Sequence, residues 1–273
     1  MNHESWRPTN RAESEYARSV REIFERLVQR AAGIPAQVVS TAEFISRYAE
    51  QAATRMITGL YFSSARTWRE AARASGRTDF LYRALQREMQ GEVGRRVREL
   101  VRENAQLITT LPPSVARKVA RLAAAHAQAG GRAAELVGGG GPLSRLARSS
   151  AKLIARTEIA KANTALQQAR SEELDLPAYI WETSQDERVR LSHRKMQGVL
   201  VFWDDPPAPE KLVGMPNAPA PYPPGGIYNC RCYPAPVVRL TNLTWPRKVY
   251  WRGVVRYMTL SQVRKLYATK EAA

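Results

Sequence analysis

Cys230 and Cys232 are the two cysteines of the chain, and His193 is one of its three histidines. A neutral imidazole and two thiolates are ordinary ligands for zinc, which in structural sites takes four nitrogen or sulfur donors. Three soft donors leave a fourth place, for which the sequence offers Asp186, Asp204, Asp205, a water or a residue of another chain. The Cys-x-Cys spacing differs from the usual Cys-x-x-Cys knuckle, because alternate residues on a strand point the same way with little room to converge. The same three residues also read as core-facing thiols beside a hydrogen-bonded imidazole. A Cys/His nucleophilic pair is a further possibility in principle, but nothing around Cys230 supplies an evident oxyanion hole.

The carboxylates allow other chemistry. Glu158, Asp186, Asp204 and Asp205 could hold a divalent cation for phosphodiester hydrolysis, although acidic pairs followed by prolines, as in the DDPP after Trp203, more often form turns. Ser184 and Glu187 have the spacing of a capping box, which predicts a helix from Gln185 with Asp186, Arg190 and His193 on one face. Asp186 with Arg190 then reads as a surface ion pair. An enzyme built here would be a metal-dependent nuclease or transferase acting on nucleic acid or protein, using Glu158, Asp186, Arg190 and His193. No recognisable catalytic spacing supports it. Gly138 to Gly141 lack the Gly-Lys-Ser/Thr ending of a phosphate-binding loop and read as a linker.

The elements that must position these residues change character along the chain. Apolar residues recur at helical spacing through Tyr16, Val20, Ile23, Phe24 and Leu27, ending before Gly33 and Pro35. Ser40 and Glu43 suggest a cap for a second helix carrying Phe44, Tyr48, Ala52 and Met56, with Gly76 as its stop. A third is expected after Thr78, through Leu81 to Ile108 across Gly91 and Gly94, ending at Pro112 and Pro113. A shorter helix follows from Ser114 to Gly130. Another spans Leu143 to Leu176, and Glu158 falls on its apolar stripe, where it needs a cationic partner or must reach solvent from the edge. After Pro177 the residues 178–182 (AYIWE), 199–203 (VLVFW) and 227–238 read as strands. The fold class expected is mainly α with a C-terminal α+β module, long amphipathic N-terminal helices preceding a small sheet-containing domain.

Domain limits are expected at 1–137 for the helical region, 138–142 for the Gly-rich linker, 143–238 for the α+β module and 239–273 for a basic C-terminal tail. With 273 residues the chain can bury a core without metal or disulfide staples. Its net charge of +17 makes a polyanion or an acidic protein face the natural partner. Residues 177–238 balance six acids against six bases, whereas residues 239–273 carry a net +7, so the excess lies outside the central module. No run of about 18 apolar residues exists to span a membrane. The first residues lack the apolar core of a signal peptide, which predicts a start in a cytoplasm.

Several ordered blocks carry a resemblance: ARTEIAKAN from Ala155 to Asn163, the pattern W-x-T-x-x-D-x-R-V-R-x-x-H from Trp181 to His193, Gly198, WDDPP from Trp203 to Pro207, and PPGG-x-x-NCRC from Pro223 to Cys232. Over these roughly 80 residues the chain resembles the phage Mu protein F-like family of minor head, or head morphogenesis, proteins. The resemblance implies a low-copy component of a tailed-phage head near the portal vertex, serving head assembly and genome packaging or delivery. It implies the portal and major capsid proteins as partners, with several copies per head and basic segments on packaged DNA, and a location in the virion after assembly in the host cytoplasm. It also implies a metal site at His193, Cys230 and Cys232, for which the donor types make zinc the expected ion, and Glu158, Asp186, Arg188, Arg190, Asp204, Asp205 and Arg231 are read as structural residues of the motif. Family members often carry another polar or His residue just before the CRC, where this chain has Gly226, Ile227 and Tyr228.

Overall fold

The computed structural model describes residues 3–31, 38–75, 87–109, 121–122, 125–126, 128–129, 135 and 141–271. The expected start of the third helix after Thr78, its stop at Pro112, the helix opened by Ser114 and the glycines Gly138 to Gly140 lie outside the described residues. In chain order the elements are α1 (Asn10–Ala31), α2 (Val38–Ser75), α3 (Glu92–Thr109), α4 (Pro142–Glu173), β1 (Ala178–Glu182), α5 (Leu191–Arg194), β2 (Val199–Phe202), α6 (Pro209–Leu212), β3 (Tyr233–Pro236), β4 (Arg247–Trp251), β5 (Val254–Met258) and α7 (Leu260–Glu271). The chain is mostly helical with one mixed sheet towards its C-terminus, as the change of period at Pro177 predicts.

The chain forms two compact units, one of Pro8–Tyr61 with Val97–Ala162, the other of Met1–Arg7, Phe62–Arg96 and Asn163–Ala273. The described part of the first unit is helical. Tyr16, Val20, Ile23 and Phe24 of α1 are buried, as are Ala52 and Met56 of α2, Val97, Leu100 and Ile108 of α3, and Ala147, Ala151 and Ala162 of α4. These are the stripes that helical periodicity picks out. Glu158 finds its cation one turn along its own helix, 3.1 Å from Lys161. The buried Tyr16 phenol donates to Asn104 Oδ1 at 3.3 Å; burial, with the charge of Glu158 adding to it, pushes that phenol up.

In the second unit the sheet runs in the order β3-β1-β2-β4-β5, antiparallel except where β2 and β4 meet in parallel through Leu200 and Val249. Both faces of β1 and β2 are covered: Ala178, Ile180, Leu200 and Phe202 pack with Trp6, Trp68, Leu174 and Trp251, while Tyr179, Trp181, Val199 and Val201 pack with Met196, Trp203, Tyr222 and the two cysteines. A strand buried on both faces has no polar side, so its sequence reads as a continuous apolar run. Residues 239–273, whose sequence signal is their charge, supply β4, β5 and α7. Arg252 and Gly253 both take positive φ in the two-residue turn of the β4–β5 hairpin, the turn geometry that matches strand twist.

Three boundaries differ from expectation. The α2 helix begins at Val38, ahead of Ser40, so Ser40 is not its cap. The third helix is not continuous: residues 88–91 form a turn, and Glu92 starts α3. There the Gly94 amide donates to the Glu88 carbonyl at 2.9 Å, and a Cβ on Gly94 would stand 1.9 Å from the Met89 carbonyl oxygen. A glycine that looked merely tolerable in a helix is what lets the turn close. The third strand is confined to Tyr233–Pro236, because residues 223–232 turn repeatedly, with positive φ at Gly225 and Asn229.

Candidate metal centre

The turn before β3 brings the cysteines together. The Cys230 amide donates to the Ile227 carbonyl at 3.2 Å, and the Cys232 amide reaches Cys230 Sγ at 3.4 Å. The two thiols therefore converge through a turn, and the limited room of a strand spacing does not apply. His193 comes from α5, a single turn of helix. Its Nδ1 lies 3.3 Å from Cys232 Sγ and 3.5 Å from Cys230 Sγ. All three residues are buried, at 2 %, 2 % and 4 % exposure for His193, Cys230 and Cys232, and their donor atoms lie within 4.8 Å of one another.

These distances are those of an imidazole hydrogen-bonded to thiols, and they would also accommodate a tetrahedral metal ion such as zinc. Bonds of about 2.0–2.1 Å to nitrogen and 2.3 Å to sulfur in a tetrahedron place the two donors about 3.5 Å apart. The outer side of the imidazole is equally specific. His193 Nε2 is 2.9 Å from Tyr222 Oη and 3.3 Å from Glu210 Oε1, Tyr222 donates its hydroxyl proton to Glu210 Oε2 at 2.6 Å, and Ser192 donates to Glu210 Oε1 at 3.2 Å. Zinc-bound histidines characteristically carry such a carboxylate-backed partner on the ring nitrogen away from the metal. Trp181 meets the imidazole edge-on at 5.7 Å between centroids. A zinc ion held by His193, Cys230 and Cys232 would tie α5 to the turn before β3.

The thiols are unequal. Hydrogen bonding from the Cys232 thiol holds Cys230 below the ordinary thiol range, against the opposing effect of burial. Cys232 is pushed up by its hydrogen bond to Cys230 and by burial. Burial pushes Glu210 up, but Tyr222, its own backbone amide, His193 and Ser192 together outweigh it and leave the carboxyl below its usual range. The Tyr222 phenol is raised by burial and by Glu210.

The acidic candidates lie elsewhere. The helix expected from Gln185 is replaced by a turn: the Asp186 carboxylate accepts from the Arg188 amide at 3.0 Å, and Arg190 is extended with ψ 145°. Such local side-chain bonding competes with helix formation, so Asp186, Arg190 and His193 do not share a helical face. Asp186 pairs with Arg231, not Arg190, whose guanidinium donates to the Tyr228 carbonyl at 2.9 Å. Asp205 Oδ2 accepts from the Arg252 amide at 2.8 Å, Asp204 is exposed, and Glu158 belongs to the helical unit. Among the described residues the cluster whose donors could hold a metal ion is His193, Cys230 and Cys232. Glu210 and Tyr222 were not singled out from sequence; their one signal is the Pro-rich setting, which here serves to carry Tyr222 inward.

The remaining motif residues are held by neighbours from the sheet and its turns. Thr183 donates through its amide and hydroxyl to Gln197 Oε1, at 2.8 and 2.6 Å. Gly198 takes φ 72° and receives the Arg247 guanidinium on its carbonyl at 3.0 Å. The Trp203 ring lies tilted against Tyr179 at 4.3 Å between centroids, and Thr164, beside the ARTEIAKAN block, donates to the Pro224 carbonyl at 2.5 Å.

Comparison with known proteins gives two matches. The model of a family described as Phage Mu protein F like protein matches residues 80–234. An uncharacterised protein of Haemophilus influenzae (strain ATCC 51907 / DSM 11121 / KW20 / Rd) is 38 % identical over 96 residues, which cover 35 % of this chain and 19 % of that protein. The aligned stretch thus spans about a fifth of the length of that curated relative. No solved structure matches the chain.

Proposed function

Since the family match covers more than half of its residues, the chain belongs to the Phage Mu protein F-like family, and from that premise we propose that it is a minor head protein of a tailed bacteriophage. The family is one of phage head morphogenesis. In this reading the protein is present in a few copies near the portal vertex, enters the virion from the host cytoplasm and assists head assembly and genome packaging or delivery. Its partners are the portal and major capsid proteins. The helical region supplies apolar and charged faces for docking, and the cations of residues 239–273 meet acidic protein or DNA phosphates, a contact weakened by salt.

The observation that carries a structural role, rather than the nuclease or transferase alternative, is how the family blocks are used. Trp181 packs on His193 and Arg231 binds Asp186, while Thr183, Arg190, Gly198 and Trp203 are engaged by Gln197, the Tyr228 carbonyl, Arg247 and Tyr179, and the His/Cys cluster is buried. A catalytic constellation needs a surface where substrate reaches the reacting groups; His193, Cys230 and Cys232 are buried, and Asp186 and Arg190, which are not, are bound to Arg231 and to the Tyr228 carbonyl. We take the metal as zinc, fixing the turn before β3 to α5 as a closed structural site does. No helix of the described residues is long and apolar enough to cross a membrane.

The test is genetic. A phage with an early stop codon in this reading frame should yield few or no DNA-filled heads, with restoration by the gene supplied in trans. Undiminished production of filled, infectious heads would overturn the reading.

A further inference from the structure

The three-residue chain Glu210, Tyr222 and His193 has a direction that the metal reading does not by itself require. Tyr222 Oη is 2.6 Å from Glu210 Oε2 and 2.9 Å from His193 Nε2. A carboxylate only accepts, so the tyrosine proton points to Glu210. The hydroxyl oxygen then presents its lone pairs to the imidazole, and Nε2 must be the nitrogen that carries the proton. The other nitrogen, Nδ1, is left with its lone pair aimed at the two sulfurs, 3.3 and 3.5 Å away. Glu210 is itself fixed, since Ser192 donates to its second oxygen at 3.2 Å. Tyr222 is fixed through its backbone, whose amide donates to the Pro207 carbonyl at 3.0 Å.

We propose that Glu210 and Tyr222 are positioning residues that hold His193 as the Nε2–H tautomer, so that Nδ1 stands ready as a ligand for a thiolate-binding divalent cation such as Zn²⁺; the proposal rests on the metal reading above. It gives the proline-rich segment 206–224 a purpose. Pro207 and Pro209 flank the start of α6, which carries Glu210, and Pro221, Pro223 and Pro224 frame Tyr222. Both polar side chains, at 8 % and 6 % exposure, are thereby delivered into an otherwise apolar cluster. A buried carboxylate is costly unless it is paired and hydrogen-bonded, and Glu210 is bonded by Tyr222 and Ser192 and lies 3.3 Å from His193 Nε2.

The test uses the full-length, reduced protein. In zinc-free wild type, the nitrogen shifts of the His193 ring in a long-range proton–nitrogen correlation spectrum should be those of the Nε2–H tautomer; an Nδ1–H tautomer overturns the proposal without any variant. Zinc affinity is then measured by competition with a chromophoric chelator. Glu210→Gln and Tyr222→Phe should each weaken zinc binding, and the double variant should weaken it by about 10–100-fold, the usual effect of removing partners behind a metal-bound histidine. Affinities within twofold of wild type in folded variants overturn the relay and leave the metal site standing. Failure of wild-type protein to take up zinc overturns both.

Discussion

Asp186 is joined to Arg231, the residue between the two cysteines, by a pair of charge-assisted hydrogen bonds to its two carboxylate oxygens, the one to Oδ1 measuring 2.6 Å. This pair fastens the turn before α5, the helix that carries His193, to the turn before β3, which carries both cysteines. The donation from Arg231 holds the Asp186 carboxyl below its usual range, opposed by partial burial and helped by the Arg188 amide. A depressed native pKa gives stability that is present above the unfolded-state value of about 3.9 and is lost as pH falls through the native value.

Asp186→Asn should therefore cost about 0.5–1 kcal/mol at pH 7, a small figure because the pair is partly exposed and solvent-screened. Urea unfolding at pH 7, 4 and 2.5 should show the gap between wild type and variant closing at the acid end. A gap that does not change with pH would contradict the assignment.

A second ion pair is enclosed. Arg170 donates to both carboxylate oxygens of Glu88, at 2.8 and 2.9 Å, with side-chain exposures of 1 % and 3 %. Removing one partner of such a pair leaves an uncompensated charge and costs about 3–5 kcal/mol, whereas replacing both by apolar residues of similar size is often neutral. Glu88→Ala should fall in the first class by chemical denaturation. The double variant Glu88→Leu/Arg170→Met should recover most of the loss; equal loss in both would count against the pair as described.

Two glycines separate steric need from helix propensity. Gly94→Ala must displace the Met89 carbonyl, against which a Cβ would clash, and should destabilise by about 1–3 kcal/mol. Gly59 lies within α2 with nothing near its missing Cβ, so Gly59→Ala should stabilise by about 0.5–1 kcal/mol. Thermal unfolding midpoints moving in opposite directions are the expected outcome, and a shared direction would contradict it.

How far these features were legible from sequence follows from where their causes lie. The stripe through Tyr16, Val20, Ile23 and Phe24 and the apolar runs AYIWE and VLVF were readable because burial on one helix face, or on both faces of a strand, writes a local pattern. The turn at 88–91 was not, since a lone glycine such as Gly94 is tolerated within a helix and only its close approach to the Met89 carbonyl reveals the turn. The helix expected from Gln185 failed because Asp186 bonds its own backbone and Arg231. His193, Cys230 and Cys232 were recognisable by residue type. Glu210 and Tyr222 were not, because their role arises only when α6 and the proline-rich segment meet α5.

Metal content separates the two readings of the cysteines. Purified reduced protein should carry close to one zinc per chain by elemental analysis, Cys230→Ser and Cys232→Ser should each lose most of it, and a strong chelator should lower the melting temperature of wild type alone. A ligand bound only by the native state stabilises it in proportion to the logarithm of its excess over Kd, so chelation should act through stability. Protein that is metal-free after purification and reconstitution would leave two buried thiols beside a hydrogen-bonded imidazole.

The central claim is that this chain is a built-in part of a phage head. Quantitative mass spectrometry of gradient-purified, DNase-treated heads, with the major capsid protein as the internal standard, tests it most directly. The protein should be present at a fixed ratio corresponding to a few copies per head, unchanged between preparations and after a high-salt wash that strips DNA-bound contaminants. Its absence from heads, with all of it in the soluble fraction, would contradict the account.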